Sequence, residues 1–312
     1  MDLELPEPNT NLCIHGGSHA EQTGKMLIGI EKVLMTVNPD IVLIYGDTNS
    51  TIAGALAVAK LGIPIGHIEA GLRSYNRNMP EEINRIVSDH LSEILFCPTD
   101  NAAKNLQLEG ITKGIHIVGD LMIDTIVHYL PIARENSKIL DLLKLTTQKY
   151  SLLTVHRASN TDNEKTLNEI LDGISKLPTK IIFPIHPRTR KAINSFKLNI
   201  PHNILPIEPV GYFDMLILEE NAECILTDSG GMQKEAYFLG TRCITLRNET
   251  EWLETEKAGW NIVTGTDPRR ILEAYEFDKP NDQPRTVYGS GQASKKIVEI
   301  LLCPLLIYID FV

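Results

Sequence analysis

Short apolar runs alternate along this chain with longer stretches whose apolar residues recur at helical spacing. Four runs form a first series, at residues 41–45, 64–68, 94–98 and 115–118. Six more form a second series, at residues 152–155, 181–185, 204–207, 224–226, 243–246 and 261–263. Buried parallel strands consist of such continuous apolar runs, and the helices that connect them have the longer period. The pattern therefore predicts two consecutive α/β domains.

The stretch between the two series, residues 133–149, is rich in Lys and Leu and has no strand signal. We place the domain boundary there, which predicts a first Rossmann-like domain at residues 1–132 and a second at residues 133–288. The remaining residues, 289–312, predict a helix at 294–302 that packs back toward the first domain, followed by an apolar tail. The first domain opens with a helix at 18–37 where a doubly wound sheet usually opens with a strand, so it is expected to be incomplete.

Composition narrows the classes of function. The 312 residues include 30 Lys and Arg against 40 Asp and Glu, a formal charge of −10, which disfavours non-specific nucleic-acid binding. Five scattered cysteines show no C-x-x-C spacing, so we expect neither a disulfide framework nor a metal site, and we expect a reducing cytoplasm. No apolar run approaches the roughly 18 residues that a membrane span requires. We expect a soluble protein without membrane partners.

Carboxylates follow the first two runs of the first series. Asp47 and Glu69 come directly after predicted neighbouring strands, at the edge where parallel sheets bind ligands. An Asp at this place is also a common helix N-cap, which is the alternative for Asp47. Glu69 lies between two glycines in the run 66–73. Glu81 lies in the first turn of a helix that Pro80 begins, where acidic residues are also favoured electrostatically.

Two histidines follow strands of the second series at equivalent positions. His156 comes after the strand at 152–155 and His186 after the strand at 181–185, and an arginine follows each of them shortly afterwards. This arrangement indicates an anionic ligand, whereas a lone histidine is more often a structural residue.

The segment 227–235, TDSGGMQKE, connects a predicted strand to a predicted helix. Ser229, Gly230 and Gly231 leave backbone N–H groups uncovered at a helix amino terminus, which is how proteins cradle phosphate. Glu235, one turn further on, can accept a hydrogen bond from a ribose hydroxyl. The alternative is an ordinary strand-turn-helix connection that contains glycines.

Nine segments taken together resemble one family, the non-hydrolysing UDP-N-acetylglucosamine 2-epimerases, and in particular its archaeal-type members. They occur in order along the chain as GDTNST, GHIEAGLRS, MPEEINR, TVHRASN, FPIHPRTR, EPVGY, LTDSGGMQKEA, LRNETEW and YGSGQAS. The resemblance implies an α/β fold of two Rossmann-like domains that face each other across a cleft, as in GT-B glycosyltransferases. It also implies a truncated first domain, because the family's opening strand and GTRPE-like segment are absent here.

The resemblance implies an isomerase that inverts C2 of UDP-N-acetylglucosamine to give UDP-N-acetylmannosamine, by elimination and re-addition of UDP and without a cofactor. We expect a cytoplasmic homodimer. The catalytic positions of the family fall on Asp47, Glu69, Glu81 and His156. Its substrate-binding positions fall on Arg85, His186, Ser229, Gly230, Gly231 and Glu235. Two alternatives remain: a GT-B glycosyltransferase, which the three carboxylates together disfavour, and a catalytically inactive nucleotide-sugar binding module.

Overall fold

The computed structural model describes residue 3 and residues 5–280 and 287–303. The described chain divides into two compact units. Unit 1 contains the described part of Leu3–Leu121 together with residues 288–303, and unit 2 contains the described part of Met122–Val287. No helix within the described residues is both long enough and apolar enough to span a bilayer.

Unit 1 contains a four-stranded parallel sheet in the order β1-β2-β3-β4. Helices and strands alternate in it as α1 (His19–Val37), β1 (Val42–Tyr45), α2 (Asn49–Lys60), β2 (Ile65–Ile68), α3 (Pro80–Leu91), β3 (Ile94–Cys97), α4 (Asp100–Leu108) and β4 (Ile115–Ile117). All four residues of β2 and of β3 are buried, which explains why these strands are continuous apolar runs in the sequence.

Unit 2 contains a six-stranded parallel sheet in the order β10-β9-β8-β5-β6-β7. Its elements are α5 (Leu121–Asn136), α6 (Ile139–Leu143), β5 (Tyr150–Thr154), α7 (Ala158–Thr161), α8 (Glu164–Ser175), β6 (Lys180–Pro184), α9 (Pro187–Phe196), β7 (Ile204–Ile207), α10 (Tyr212–Asn221), β8 (Cys224–Thr227), α11 (Gly230–Leu239), β9 (Arg242–Thr245), α12 (Leu253–Lys257), β10 (Asn261–Val263) and α13 (Pro268–Glu276). The chain builds outward through β6 and β7, then returns to the other side of β5 for β8. This is the doubly wound order, with its switch point between β5 and β8.

The last helix, α14 (Ala293–Leu301), belongs to unit 1. Its Ile297 packs with Phe96 and Val118 in a buried cluster on the unit 1 sheet. The predicted apolar tail lies outside the described residues from position 304 onward.

All ten predicted strands are present, and each unit is α/β with a parallel sheet. The sequence-based boundary after residue 132 falls inside α5, whereas the two units separate between Leu121 and Met122. The segment 133–149 holds the end of α5 and all of α6. Apolar periodicity shows that α5 is a helix, but it does not show which sheet that helix packs against.

Candidate active site

The turn after β1 presents Asp47. Gly46 has a φ of +58°, a left-handed conformation that glycine adopts at little cost, and its N–H donates to the Ile68 carbonyl oxygen at 3.0 Å. Helix α2 begins at Asn49 with Thr48 as its N-cap. The alternative interpretation of Asp47 as a helix cap is therefore wrong.

Helix α3 holds Asp47 at two points. The Arg85 Nη2 donates to Asp47 Oδ2 at 2.6 Å, and the Asn84 Nδ2 donates to the Asp47 carbonyl oxygen at 2.9 Å. Arg85 also donates to the buried carboxylate of Glu82 at 3.2 Å. Arg85 is only 3% exposed, so its guanidinium lies between two carboxylates and not on an open surface. The PEEINR motif thus ties α3 to the end of β1.

Three predicted catalytic carboxylates, those of Asp47, Glu69 and Glu81, lie near one another in unit 1. Burial raises the pKa of Asp47 above its ordinary value, Arg85 opposes this rise, and the charges of Glu69 and Glu81 add to it. A Cβ atom placed on Gly46 would lie 3.4 Å from Glu69 Oε2. Because its burial and its two acidic neighbours disfavour ionisation of Asp47, this carboxyl group is suited to proton transfer.

Glu69 itself has an unusual backbone. Its φ is +72°, in the left-handed region that a residue with a side chain rarely occupies. Its N–H and that of Ala70 both donate to the Phe96 carbonyl oxygen at 3.1 Å. The bent chain aims Glu69 toward the end of β1.

The sheet of unit 2 brings the second set of predicted residues to its switch point, where doubly wound sheets bind ligands. The carboxylate of Asp228, which follows β8, accepts the N–H groups of His156 and Arg157, each at 3.0 Å. The same carboxylate accepts the Asn160 Nδ2 at 3.0 Å. Asp228 is fully buried and fixes the backbone that carries His156.

His156 and His186 lie side by side, with ring centroids 5.8 Å apart. Burial lowers the pKa of His156, the Asp228 carboxylate opposes this, and His186, Arg157 and Arg188 lower it further. His156 is therefore favoured as a neutral imidazole. The His186 ring caps α9 by accepting the Arg188 N–H at 3.1 Å.

Helix α11 begins at Gly230, with Ser229 as the N-cap. The Ser229 Oγ accepts the Met232 N–H at 3.4 Å, so the hydroxyl caps the helix. A Cβ atom on Gly230 would lie 3.1 Å from the Trp252 Nε1, and one on Gly231 would lie 3.2 Å from the Met122 Cε. Side chains would crowd this helix end, which supports the cradle interpretation.

Glu235 lies in α11 and is 8% exposed. The phenol of Tyr212 lies close to it, and burial, with the charges of Glu235 and Glu219, raises the Tyr212 pKa. Tyr212 therefore stays protonated near the Glu235 carboxylate. No group of three or more His, Cys, Asp or Glu side chains in the described part of the chain is arranged to hold a metal ion.

Two buried residues that support the candidate site, Gln233 and Asp89, were not predicted from the sequence. Gln233, fully buried, donates to the Ser229 carbonyl oxygen at 3.2 Å and accepts from Thr250 at 2.6 Å, which ties the cradle to the loop after β9. Asp89, also fully buried, lies in the last turn of α3. An acidic residue there opposes the helix dipole, and that conflict is a signal in the sequence.

Comparison with known proteins identifies the family. The family model described as UDP-N-acetylglucosamine 2-epimerase matches residues 1–302. A relative from Methanococcus maripaludis, described as a UDP-N-acetylglucosamine 2-epimerase homolog, is 53% identical over 96% of this chain and 86% of its own. A UDP-2,3-diacetamido-2,3-dideoxy-D-glucuronate 2-epimerase of Pseudomonas aeruginosa is 44% identical over 96% of this chain and 85% of its own.

The crystal structure of the Methanocaldococcus jannaschii UDP-GlcNAc 2-epimerase, in complex with UDP-GlcNAc and UDP, is similar to this chain with a TM-score of 0.89. Its sequence identity is 46%, and the match covers 96% of this chain and 86% of that one. The chain belongs to the UDP-N-acetylglucosamine 2-epimerase family, an isomerase family. The predicted family and the predicted fold class, α/β with two Rossmann-like domains of the GT-B type, are confirmed.

Proposed function

We propose that this chain interconverts UDP-N-acetylglucosamine and UDP-N-acetylmannosamine. A base removes the proton from C2, and the C2–H electrons form a C1=C2 double bond as the C1–O bond to UDP breaks. UDP then adds back to C1 while an acid protonates C2 from the opposite face. The observation that carries the proposal is the cluster of Asp47, Glu69 and Glu81, which supplies groups for both proton transfers.

Within this proposal, Asp47, Glu69, Glu81 and His156 act on the sugar. Arg85 keeps Asp47 in place, and its predicted contact with substrate becomes an indirect one through that carboxylate. The support for this is the 2.6 Å ion pair and the burial of Arg85.

Unit 2 holds UDP in this proposal. The N–H groups of Gly230 and Gly231 face the pyrophosphate, whereas the Ser229 N–H donates to Thr227 Oγ1 at 2.9 Å, so Ser229 shapes the turn that carries them. The neutral His156 and its neighbour His186 lie at the same end of the sheet. Glu235 accepts a ribose hydroxyl. A helix amino terminus gives favourable contacts to the negative charge that develops on UDP as it leaves C1.

The test is incubation of the chain with UDP-N-acetylglucosamine in D₂O, followed by proton NMR. We expect the C2 proton signal to disappear through exchange while N-acetylmannosamine signals grow. A GT-B glycosyltransferase would leave the sugar unchanged without an acceptor, and an inactive binding module would bind UDP without exchange at C2. Either result would overturn the proposal.

The substituents at C3 and C6 of the preferred sugar are a separate question, because the family includes the diacetamido-glucuronate enzyme described above. We propose UDP-N-acetylglucosamine as the substrate because the more similar relatives are described with that name. A competition assay with the diacetamido-glucuronate analogue decides between them through the ratio of kcat/KM values.

We also propose a cytoplasmic location and a homodimer. The five cysteines are all free thiols, and three of them are buried, which fits a reducing compartment. Cell fractionation tests the location. Analytical ultracentrifugation tests the dimer, and a monomer at micromolar concentration would contradict it.

A further inference from the structure

His67 is a buried histidine next to the carboxylate cluster for which the proposed mechanism has no role. It lies on β2 with no exposed surface. Its Nδ1 lies 2.7 Å from Asp89 Oδ1, and its Nε2 lies 2.8 Å from the Gly46 carbonyl oxygen. The imidazole therefore connects α3 to the peptide group that immediately precedes Asp47.

The partners define where the protons of His67 lie. A carbonyl oxygen can only accept, so Nε2 carries a hydrogen and donates it to Gly46. Asp89 Oδ2 accepts from the Arg73 Nη1 at 2.7 Å, and the Gly71 N–H donates to the same carboxylate at 3.2 Å. Contacts with a guanidinium and an amide N–H favour an ionised Asp89, which then accepts from Nδ1 as well. With these partners both ring nitrogens face acceptors, which is the hydrogen-bond pattern of an imidazolium.

The charges around this imidazolium are paired in a chain. Asp89 lies between His67 and Arg73, and Arg73 forms a two-point pair with Glu109 through contacts of 2.6 and 2.7 Å. His67, Arg73 and Asp89 are all buried. A buried cation persists where such a partner compensates it.

We propose that His67 is a positioning residue for Asp47: an imidazolium, oriented by Asp89, that fixes the Gly46 to Asp47 peptide group by donating to the Gly46 carbonyl oxygen. Asn84 holds the peptide group that follows Asp47, and Arg85 holds the Asp47 carboxylate. Backbone on both sides of Asp47 and its side chain are then constrained together. This inference rests on the proposed function only for its effect on turnover.

Two isosteric variants separate the two contacts of His67. The amide nitrogen of Gln reaches the position of Nε2, so His67→Gln keeps a donor for Gly46. The amide of Asn reaches only the position of Nδ1, so His67→Asn keeps a group beside Asp89 and loses the donor. His116→Asn is the matched control, because His116 is a strand histidine of the same unit that the site does not use.

We expect His67→Asn to lower kcat by about 10- to 100-fold, since small misplacement of a reacting group has effects of that order. His67→Gln should lose markedly less, and KM and UDP affinity should change little in either variant. A residue that served only folding would lower the folded fraction in both variants and leave kcat per folded molecule unchanged. Equal kcat losses in the two variants, or no loss in either, would overturn the proposal.

NMR of the unaltered chain gives a readout that needs no turnover. With ¹⁵N-labelled histidine, both nitrogens of His67 should show one-bond coupling to hydrogen, and one bare nitrogen would contradict the imidazolium. The Asp47 amide signal should move in His67→Asn, much less in His67→Gln, and not in His116→Asn; an unmoved signal in His67→Asn overturns the positioning role. Failure of the unaltered chain to exchange the C2 proton of UDP-N-acetylglucosamine would overturn the proposed function alone, because these NMR results stand without it.

Discussion

The two sites of this chain handle charge in opposite ways. In unit 1, carboxylates and cations are packed against one another, as in the Asp47, Arg85 and Glu82 contacts and the His67, Asp89 and Arg73 chain. In unit 2, the start of α11 offers backbone N–H groups and a capping hydroxyl, and His156 after β5 offers a neutral imidazole. A site that moves protons needs groups whose ionisation is balanced by neighbours, whereas a site that holds an anion needs fixed dipoles. Substitutions in the unit 1 site should therefore lower turnover, whereas substitutions in the unit 2 site should lower UDP affinity.

The largest effect is expected on turnover, from the carboxylates of unit 1. Asp47→Asn, Glu69→Gln and Glu81→Gln should each lower kcat by about 10²- to 10⁴-fold while UDP affinity stays nearly intact, because they remove proton-transfer groups and leave unit 2 unchanged. Asp40→Asn is the matched control, an exposed carboxylate just before the other end of β1. Steady-state kinetics and calorimetry with UDP measure both quantities. If UDP affinity fell in step with kcat, these residues would be binding groups.

In unit 2 the corresponding change should affect affinity. Gly230→Asp adds bulk within 3.1 Å of Trp252 and a negative charge at the helix end. We expect UDP affinity to fall by about 100-fold or more, equivalent to about 3 kcal/mol. Gly24→Asp is the control, a glycine in α1 with open space around it. Calorimetry that finds equal affinity for Gly230→Asp and the unaltered chain would contradict the cradle.

Asp228→Asn tests the group beneath His156. Its amide cannot accept the three N–H groups that the carboxylate accepts, so unfolding free energy should fall by about 3 kcal/mol. The pKa of His156, already lowered by burial, should fall further, since Asp228 is the group that raises it.

Chemical denaturation and NMR titration of His156 measure these two effects. Asp162→Asn, an exposed carboxylate of unit 2 paired with Arg188, should change stability by less than about 0.5 kcal/mol. An unchanged titration of His156 in Asp228→Asn would show that the two groups are not coupled.

The smallest expected effects are on the pH dependence of folding stability. The contributions of two unit 1 carboxylates to that dependence have opposite signs. Burial raises the pKa of Asp47, so the folded state favours the protonated carboxyl group. Folding stability therefore decreases as the pH rises above the pKa that Asp47 has in the unfolded chain. Asp47→Asn should therefore keep or raise stability at pH 7.

Arg73, through its hydrogen bond, lowers the pKa of Glu109. That contribution is present above the unfolded pKa and is lost as the pH falls through the folded one, so Glu109→Gln should lower stability at pH 7 by about 1 kcal/mol or less and have no effect in acid. Denaturation midpoints between pH 3 and pH 8 give both curves. If Asp47→Asn and Glu109→Gln both lowered the stability at pH 7, the opposite signs expected for these two carboxylates would be contradicted.

Most of the fold could be predicted from the sequence because buried parallel strands leave continuous apolar runs, as β2 and β3 do. The positions of Asp47 and Glu69 could also be predicted, since a parallel sheet brings residues after its strands to one edge. The supporting residues could not. Asp89 supports His67 across 22 positions, and Gln233 contacts Thr250 across 17. Such pairs depend on helix packing, which one sequence does not reveal.

The left-handed backbone of Glu69 also has an evolutionary consequence. Glycine would occupy that conformation without steric penalty, and both glutamate codons become glycine codons through one A-to-G transition. In a lineage released from selection for catalysis, this transition removes strain as well as the carboxylate, so drift is expected to fix it early. Position 69 is thus where a gene copy that no longer encodes an active enzyme should first differ from this sequence.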